Sequence, residues 1–314
     1  MSETVLVLVE AVNEYLPLLE GSGFTLIRAP SKAERAAAIA QHADTITAVL
    51  TRGPLGFYAE EMAALPHLRI ICVIGAGYEH VDLAAARDRG ITVTNGAGAN
   101  ASSVADHAMA LLLALVRDIP QADASVRRGE WRKLSRPTLA GKRMGILGLG
   151  AVGLAIAQRG ALGFNMAVSY HSRRRREGVG YHYCASVLEL AAASDYLIIA
   201  TPGGADTRHA IDKAVLDALG PEGFIVNIAR ASVINTADLL TALQHHHIAG
   251  AALDVFDDEP EVPDELRALN NVVLTPHVAG LSPEASEGTV SLVNQNLLAF
   301  FAGQPVLTPV PYTP

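Results

Sequence analysis

The sequence contains only two cysteines, Cys72 and Cys184, among 314 residues. Two isolated thiols provide neither a disulfide framework nor a metal-ligand spacing, a usage typical of proteins in a reducing compartment. A basic leader segment is also lacking, since Glu10 interrupts the apolar run near the start and no cluster of lysine or arginine precedes it. We therefore expect a cytoplasmic protein.

Long apolar runs and an excess of positive charge are lacking as well. The longest helix-like apolar run, Ala108 to Val116, has about half the length that a membrane-spanning helix needs. The formal charge is −8 and the pI about 5.7, so no general field attracts nucleic acid or an anionic membrane. We expect neither as a partner. Hydrophobic residues still make up 50% of the chain, enough for a large core and, at this length, two domains.

Short apolar runs alternate with alanine-rich stretches in two successive series. The first series reads "TVLVLV", "FTLIR", "TAVLT", "LRIICVI", "ITVT", and the second "KRMGILGLG", "MAVSY", "DYLIIATP", "GFIVNIA", "IAGAALDV", "NVVLTP". Continuous apolar strands between helices indicate parallel strands that are covered on both faces. The pattern predicts an α/β protein with two doubly wound parallel-sheet domains.

The boundary between the two series is expected near residue 101. Ser102 or Ser103 is the predicted N-cap of a helix with an apolar face, which leads into the second series. The last helix is predicted over about residues 283–301, with Pro283 in the favoured first turn. We expect this helix to return to the first domain.

The stretch "GILGLGAVG" carries the spacing G-x-G-x-x-G at Gly148, Gly150 and Gly153. It follows an apolar strand and opens a helical stretch, which is the context that a dinucleotide-binding turn requires. The first glycine permits the turn, the second lets the backbone approach a pyrophosphate, and the third allows close contact between helix and strand. An ordinary tight turn is the weaker alternative.

Two other glycine pairs, in "VIGAG" and "GAGAN", lack the third glycine and are not expected to hold a dinucleotide. A Gly-Ala-Gly turn at the end of a strand can still present successive N–H groups to a small anion. Ala76 and Gly77 are therefore candidates for binding a substrate carboxylate, with a purely structural turn as the equal alternative.

Four consecutive arginines, Arg173 to Arg176, follow the strand "MAVSY", which we expect to end near Tyr170. In NAD-binding proteins a carboxylate at this point accepts hydrogen bonds from the adenosine ribose, but here no acid precedes Glu177. An acid would repel a ribose phosphate, whereas Ser172, Arg173 and Arg174 would bind one. The sequence thus favours NADP, with NADPH preferred over NADH. Arg175 and Arg176 are interpreted as a solvated loop.

Three further segments each follow a strand of the second series: "VNIARASVINTADLLTAL", "GAALDVFDDEP" and "LTPHVAG". Doubly wound sheets bind ligands outside the carboxyl ends of their strands, so Arg230, Glu259 and His277 are expected to converge. Histidine titrates in the range needed to protonate a developing alkoxide. Glu259 would orient the imidazole and favour its charged form, and Arg230 would hold a carboxylate and polarise a keto oxygen.

In this order, and together with "LRIICVIGAGYEHVDL" and "SVADHAMALLLALVRD", these motifs resemble the D-isomer-specific 2-hydroxy acid dehydrogenases over nearly the whole chain. The resemblance implies a split flavodoxin-like substrate domain, residues 1–100 and 283–314, and an inserted Rossmann cofactor domain, residues 101–282. It also implies an arginine, glutamate and histidine catalytic set, and a homodimer whose contact uses about residues 101–140. The arginine at the ribose position is similar to that of NADPH-dependent glyoxylate and hydroxypyruvate reductases.

The motifs and the resemblance together give the site residues that we expect. The catalytic residues are Arg230, Glu259 and His277, and the substrate-binding residues are Arg52, Ala76, Gly77, Arg230 and His277. The cofactor-binding residues are Val104, Gly148, Leu149, Gly150, Ala151, Val152, Gly153, Ser172, Arg173, Arg174, Thr201, Pro202, Ile228, Ala229, Arg230, Asp254, His277 and Gly280. No metal is expected.

Two positions depart from the family's pattern, which has glycine after the arginine and an acid four residues further on. Here these positions hold Ala231 and Asn235. The methyl group of Ala231 is expected to narrow the substrate range. The run His245 to His247 stands where the family has a glycine-containing loop, and we interpret it as solvated rather than metal-binding, since no acid partner is evident nearby.

The leading interpretation is an NADPH-dependent reductase of small 2-keto acids such as glyoxylate and hydroxypyruvate, with His277 as proton donor. A dehydrogenase for another acid, such as 2-ketogluconate, phosphoglycerate or phosphite, is an alternative on the same scaffold. A dinucleotide sensor without catalytic activity, which recruits protein partners, is an alternative of a different class.

Overall fold

The computed structural model describes residues 2–311 of the chain. The strands of this part are β1 Thr4–Val7, β2 Thr25–Arg28, β3 Ile46–Arg52, β4 Ile70–Ile74, β5 Thr92–Asn95, β6 Arg143–Leu147, β7 Ala167–His171, β8 His182–Tyr183, β9 Tyr196–Ile199, β10 Phe224–Asn227, β11 Gly250–Leu253 and β12 Val272–Leu274. Its helices are α1 Pro17–Gly21, α2 Lys32–His42, α3 Ala59–Ala63, α4 Leu83–Asp88, α5 Ala101–Val116, α6 Ile119–Arg127, α7 Ala151–Gln158, α8 Val187–Ala192, α9 Lys213–Leu219, α10 Thr236–Gln244, α11 Asp264–Arg267 and α12 Pro283–Phe301.

The chain divides into two compact units, one of Met1–Asn100 with Leu281–Pro314 and one of Ala101–Gly280. The sheet of the first unit has the order β2-β1-β3-β4-β5, and that of the second β12-β11-β10-β9-β6-β7-β8. Every pairing between these strands is parallel. The first order is flavodoxin-like, and the second contains the Rossmann order with one further strand. The prediction of two parallel-sheet α/β domains is confirmed. Residues 312–314 of the expected substrate domain lie outside the described residues.

The central strands β1, β3 and β4 of the first unit are largely apolar because both faces of the sheet are covered there, whereas the edge strand β2 is partly exposed. Successive residues of β1 enter two different core clusters: Val5 lies in the cluster that includes Val290 and Leu297 of α12, and Leu6 lies in the cluster that includes Ile39 of α2. The side chains of α12 therefore complete the core of the first unit.

In the second unit, α5 packs its apolar residues into the core beside β6 and β10. The expected serine N-cap is wrong: α5 begins at Ala101, so Ser102 and Ser103 lie inside its first turn. Strand β7 also runs one residue further than expected, because the carbonyl of His171 accepts the N–H of Gly148 at 2.8 Å. Within residues 2–311, no helix combines the length and the apolar character that a bilayer crossing requires.

Candidate active site

The glycine-rich loop joins β6 to α7, and its three glycines differ in their surroundings. Gly148 has φ +96°, and a Cβ on it would lie 2.8 Å from the Cα of Thr201. A Cβ on Gly153 would lie 2.0 Å from the carbonyl oxygen of Gly148, whereas one on Gly150 would meet no atom within 4 Å. Gly150 is the N-cap of α7. The open space therefore lies at a helix N-terminus, where N–H groups and the helix dipole suit a pyrophosphate, so these residues fit a dinucleotide.

At the end of β7 the structure places basic and hydroxyl side chains. His171 bonds through Nδ1 to the carbonyl of Cys184 at 2.9 Å, and Ser172 donates through Oγ to the carbonyl of Arg174 at 2.7 Å. Arg173 lies 3.9 Å from the carboxylate of Asp206, with side chains 84% and 80% exposed. An ion pair this exposed contributes little to the stability of the fold. The guanidinium of Arg173 can therefore bind another anion.

Arg176 is not the purely solvated residue that we expected. Its Nη1 donates to the carbonyl of Leu149 in the glycine-rich loop at 2.6 Å, and its backbone N–H donates to the hydroxyl of Tyr170 at 2.9 Å. The last arginine of the run therefore ties the loop after β7 to the glycine-rich loop. Tertiary contact decides this role, since nothing in the run itself distinguishes Arg176 from its neighbours.

Further expected cofactor residues lie along the carboxyl edge of the same sheet. Thr201 and Pro202 follow β9, and Ile228 and Ala229 follow β10. Val104 lies on α5 with its side chain in the core. Ala151 and Val152 belong to the first turn of α7, and Gly280 follows the segment that leaves β12.

The turn after β10 fixes the backbone of Arg230. The amide of Asn227, a fully buried side chain, donates to the carbonyl of Arg230 at 3.0 Å and accepts from the N–H of Ala229 at 3.0 Å. Arg230 also donates through Nη1 to the carbonyl of Ala229 at 2.7 Å. A Cβ on Gly203 would lie 2.9 Å from Cγ of Arg230. Because glycine has no side chain, the loop after β9 leaves room for the side chain of Arg230.

Asp254 organises the segment that carries His277. This buried carboxylate accepts the hydroxyl of Thr275 at 2.6 Å and the N–H groups of Val278 and Ala279 at 3.0 and 2.9 Å. His277 itself has φ +54°, a conformation that is uncommon for a side-chain-bearing residue and persists where the surroundings enforce it. Asp254, expected as a cofactor residue, therefore also holds both residues that follow the histidine.

Glu259 and His277 are in direct contact. Nδ1 of His277 lies 2.7 Å from Oε2 of Glu259, and the other carboxylate oxygen of Glu259 accepts the N–H of Phe256 at 3.0 Å. A carboxylate only accepts, so Nδ1 carries the hydrogen and Nε2 remains for proton transfer. Both side chains keep about a third of their surface exposed, 37% for the histidine and 32% for the glutamate. The convergence of Arg230 with this pair stays a prediction.

In the first unit, the expected substrate-binding residues lie at the carboxyl ends of β3 and β4, where the loops that follow the two strands pack closely against each other. Arg52 ends β3, and Ala76 and Gly77 follow β4. A Cβ on Gly53 would lie 2.7 Å from the carbonyl oxygen of Gly77. The side chain of Asn95 donates to the carbonyl of Ala76 at 2.9 Å. These contacts fix the turn from both sides.

The departures from the family's pattern have local explanations. Asn235 accepts the N–H groups of Ala237 and Asp238 and so N-caps α10, which is the role an aspartate could take. Ala231 begins a single 3-10 turn. His247, contrary to expectation, has an acid partner: its Nδ1 lies 3.4 Å from Asp217 of α9.

One group of possible metal ligands occurs among the described residues. Ligand atoms of His182, Cys184 and Glu189 lie within 4.8 Å of one another. Burial, and then the charge of Glu189, raise the pKa of the Cys184 thiol, so the thiolate that a metal needs is disfavoured. One oxygen of Glu189 already accepts the N–H of Ala185 at 2.7 Å. We assign no metal to this group.

Comparison with known proteins gives the class. Residues 109–279 match the family described as D-isomer specific 2-hydroxyacid dehydrogenase, NAD binding domain. The chain belongs to this family, and it is an NAD(P)-dependent oxidoreductase that uses a nicotinamide dinucleotide.

Several individual proteins are similar to this chain over most of its length. The chain is 43% identical to the hydroxyphenylpyruvate reductase of Plectranthus scutellarioides over 87% of this chain and 88% of that protein. It is 39% identical to a glyoxylate/hydroxypyruvate reductase of Arabidopsis thaliana over 91% and 92%. A crystal structure of the NADPH-dependent glyoxylate/hydroxypyruvate reductase of Sinorhizobium meliloti, in complex with NADP and malonate, has a TM-score of 0.88 at 39% identity, covering 99% of this chain and 97% of that one.

Three residues whose hydrogen bonds hold the loops of the site in place were not identified from the sequence. Asn227, Thr275 and His107 all bond to the loops that carry the expected catalytic residues. Each had a usable signal. Asn227 ends the buried strand β10, Thr275 directly follows β12, and His107 is, with Asp106, one of two polar residues in the stretch 104–116 of α5.

Proposed function

We propose that this protein reduces small 2-keto acids to D-2-hydroxy acids, with NADPH as the preferred reductant and glyoxylate and hydroxypyruvate as the first substrates to test. The observation that carries the proposal is the 2.7 Å contact between His277 and Glu259, which lies in the same unit as the glycine-rich loop. The names of the relatives, which include glyoxylate/hydroxypyruvate reductases, point to the same substrate class.

A bound reduced nicotinamide would supply the hydride, and the residues of the chain would manage charge and the proton. Glu259 holds the imidazole by Nδ1, so that Nε2 of His277 donates the proton to the keto oxygen. Arg230 binds the substrate carboxylate and polarises the keto group. The substrate-binding roles expected for Arg52, Ala76 and Gly77 belong to this proposal as well.

The preference for NADPH rests on charge at the end of β7. Arg173 and Arg174 are exposed there, and Ser172 would bind the phosphate by turning its hydroxyl away from the carbonyl of Arg174, while no acid stands at the end of the strand. A guanidinium can form paired, charge-assisted hydrogen bonds to a ribose phosphate. The acid that would repel the phosphate in an NAD-specific site is lacking at this position.

A homodimer is also part of the proposal, with a second copy of this chain as partner. Within the second unit, Val126, Trp131, Leu134 and Leu162 expose large apolar side chains, Trp131 to 79%. Three of these residues lie in the expected contact region, and burying such side chains against a second copy would be favourable. Light scattering after gel filtration should give twice the chain mass for the wild type and a monomer for Trp131→Asp.

A cytoplasmic location completes the proposal. Both cysteines are free and buried, which suits a reducing compartment.

Steady-state assay of the purified protein tests the main proposal. NADPH oxidation is measured with glyoxylate, hydroxypyruvate, 2-ketogluconate and hydroxyphenylpyruvate, and the assay is repeated with NADH. We expect turnover of small 2-keto acids with a higher kcat/KM for NADPH. Binding of NADPH without oxidation by any of these acids would instead favour a dinucleotide sensor.

Cofactor preference is tested separately by Arg173→Ala and Arg174→Ala, with Arg175→Ala as the matched control from the same run. Loss of a charge-assisted bond to phosphate is worth about 1.5–3 kcal/mol, so NADPH binding should weaken by roughly tenfold or more while NADH binding changes little. Equal losses for the two nucleotides, or an equal effect of the control, would contradict the phosphate role.

A further inference from the structure

Two polar residues on α5 contact the segment that carries His277. Ser103 and His107 are one helical turn apart and so share a face of the helix. Ser103 donates through Oγ to the carbonyl of Ala279 at 2.9 Å, and Nε2 of His107 lies 3.0 Å from Oγ1 of Thr275. These bonds attach α5 to both ends of the segment 275–279.

The direction of each hydrogen bond follows from the chemistry of the groups. Thr275 has one hydroxyl hydrogen, and Oγ1 directs it to Asp254 at 2.6 Å, because a carboxylate can only accept. The oxygen of Thr275 must therefore accept from His107, so Nε2 of His107 carries a hydrogen. The same nitrogen lies 3.5 Å from Oδ1 of Asp254. His107, Thr275 and Asp254 thus form one chain of donors that ends on a buried carboxylate.

Asp254 transmits this arrangement to the catalytic segment. The carboxylate is 1% exposed and accepts the backbone N–H groups of Val278 and Ala279, the two residues after His277. His277 has φ +54°, a strained backbone conformation that persists only where the surroundings enforce it. Removing a donor from the network would weaken that constraint.

We propose that His107 is a positioning residue for His277: through Thr275 and Asp254 it fixes the backbone from which the imidazole reaches its substrate. The inference rests on the proposed function, because it assigns His277 the proton transfer. His107 itself does not touch substrate. Its role is to keep Nε2 of His277 in the place that the reaction requires, and a displacement of about 1 Å can slow an enzymatic reaction by up to about 100-fold.

The chain offers a matched pair of variants at this position. In His107→Gln the amide nitrogen can take the place of Nε2 and donate to Thr275, while His107→Leu keeps comparable bulk without a donor. With NADPH and glyoxylate or hydroxypyruvate, His107→Leu should lower kcat by about tenfold with KM for NADPH changed by less than about twofold. His107→Gln should stay within about threefold of the wild type in kcat.

Hydrogen exchange gives a readout that does not depend on activity. The N–H groups of Val278 and Ala279 should exchange faster in His107→Leu than in the wild type, and at the wild-type rate in His107→Gln. If the wild type reduces no keto acid, the proposed function fails while the exchange result still tests the positioning. If Val278 and Ala279 exchange in His107→Leu at the wild-type rate, the inference is overturned. An equal loss of kcat in His107→Leu and His107→Gln also overturns it.

Thr275→Val tests the same network at the residue that links His107 to Asp254. This variant replaces His107→Leu as the test if His107→Leu does not fold. It removes the hydroxyl and keeps the shape, so kcat should fall as in His107→Leu. The double variant should be no slower than the slower single one, since both changes break one chain of contacts. Additive losses would show that the two residues act independently and would overturn the proposal.

Discussion

The glycine-rich loop allows a test that separates folding from cofactor binding within one motif. Gly150 and Gly153 both belong to the G-x-G-x-x-G spacing, yet a Cβ would meet no atom within 4 Å at the first and a carbonyl oxygen at 2.0 Å at the second. We therefore expect Gly150→Ala to impair NADPH binding with an intact fold, and Gly153→Ala to impair the fold itself.

The magnitudes follow from the surroundings. For Gly153→Ala, helix α7 must move away from Gly148 by about 1 Å to relieve the overlap, and overpacking of this kind costs about 1–3 kcal/mol of the free energy of unfolding. For Gly150→Ala, alanine is the poorer N-cap by about 1 kcal/mol, but it also lowers the entropy of the unfolded chain, worth about 0.4–1 kcal/mol. These two effects offset each other, so stability should change by less than about 0.5 kcal/mol.

Two measurements check both variants. Urea unfolding gives the stability, and titration of NADPH by its fluorescence gives the Kd. The added methyl group of Gly150→Ala stands where a pyrophosphate would approach the N-terminus of α7, so Kd should rise at least about tenfold, or about 1.4 kcal/mol. Unchanged NADPH binding in a folded Gly150→Ala protein would refute the placement of the pyrophosphate at this helix.

Three further predictions concern the second unit. His277→Ala should lower kcat by about 100- to 10,000-fold with NADPH binding nearly unchanged; loss of the thermal unfolding transition would mean a structural role instead. Burial alone would raise the pKa of Asp195, but hydrogen bonds and the charge of Arg143 outweigh it and lower that pKa. The stability from this pair is therefore present above about pH 3.9, the unfolded value, and lost as pH falls through the lower folded value. The destabilisation by Asp195→Asn in urea unfolding should shrink towards pH 3; a constant deficit would contradict the assignment. Asn235→Ala should cost about 1 kcal/mol of unfolding free energy, while Asn235→Asp should retain the cap; equal losses would show that capping is not its role.

Features that depend on local backbone requirements could be predicted from the sequence. The turn at Gly148 needs a positive φ and close packing, and the spacing of the three glycines reports both. The presence of two parallel-sheet domains follows from two series of apolar runs, because parallel strands covered on both faces read as nearly continuous apolar segments. The predicted N-cap of α5 was wrong because helix ends fray, so a single residue type locates the start of a helix only to within one or two positions.

Features that depend on distant segments could not. His107 and Thr275 are 168 residues apart in sequence, and the contact exists only because α5 packs beside the ends of β11 and β12. Arg176 gains its bond to Leu149 in the same way, and His247 its neighbour Asp217. The sequence around each of these residues does not reveal its partner, since the packing of the sheet brings the two together.

The sequence by itself determined the fold class, and it placed the glycine-rich turn and the pair that we expect to handle the proton, Glu259 and His277, because each depends on residue types at the ends of strands. The tertiary structure alone decided how the segment of His277 is held: a buried Asp254, two backbone N–H groups and a histidine from α5. Hydrogen bonds of this kind are directional and act over about 3 Å, so they become defined only when remote elements have packed together.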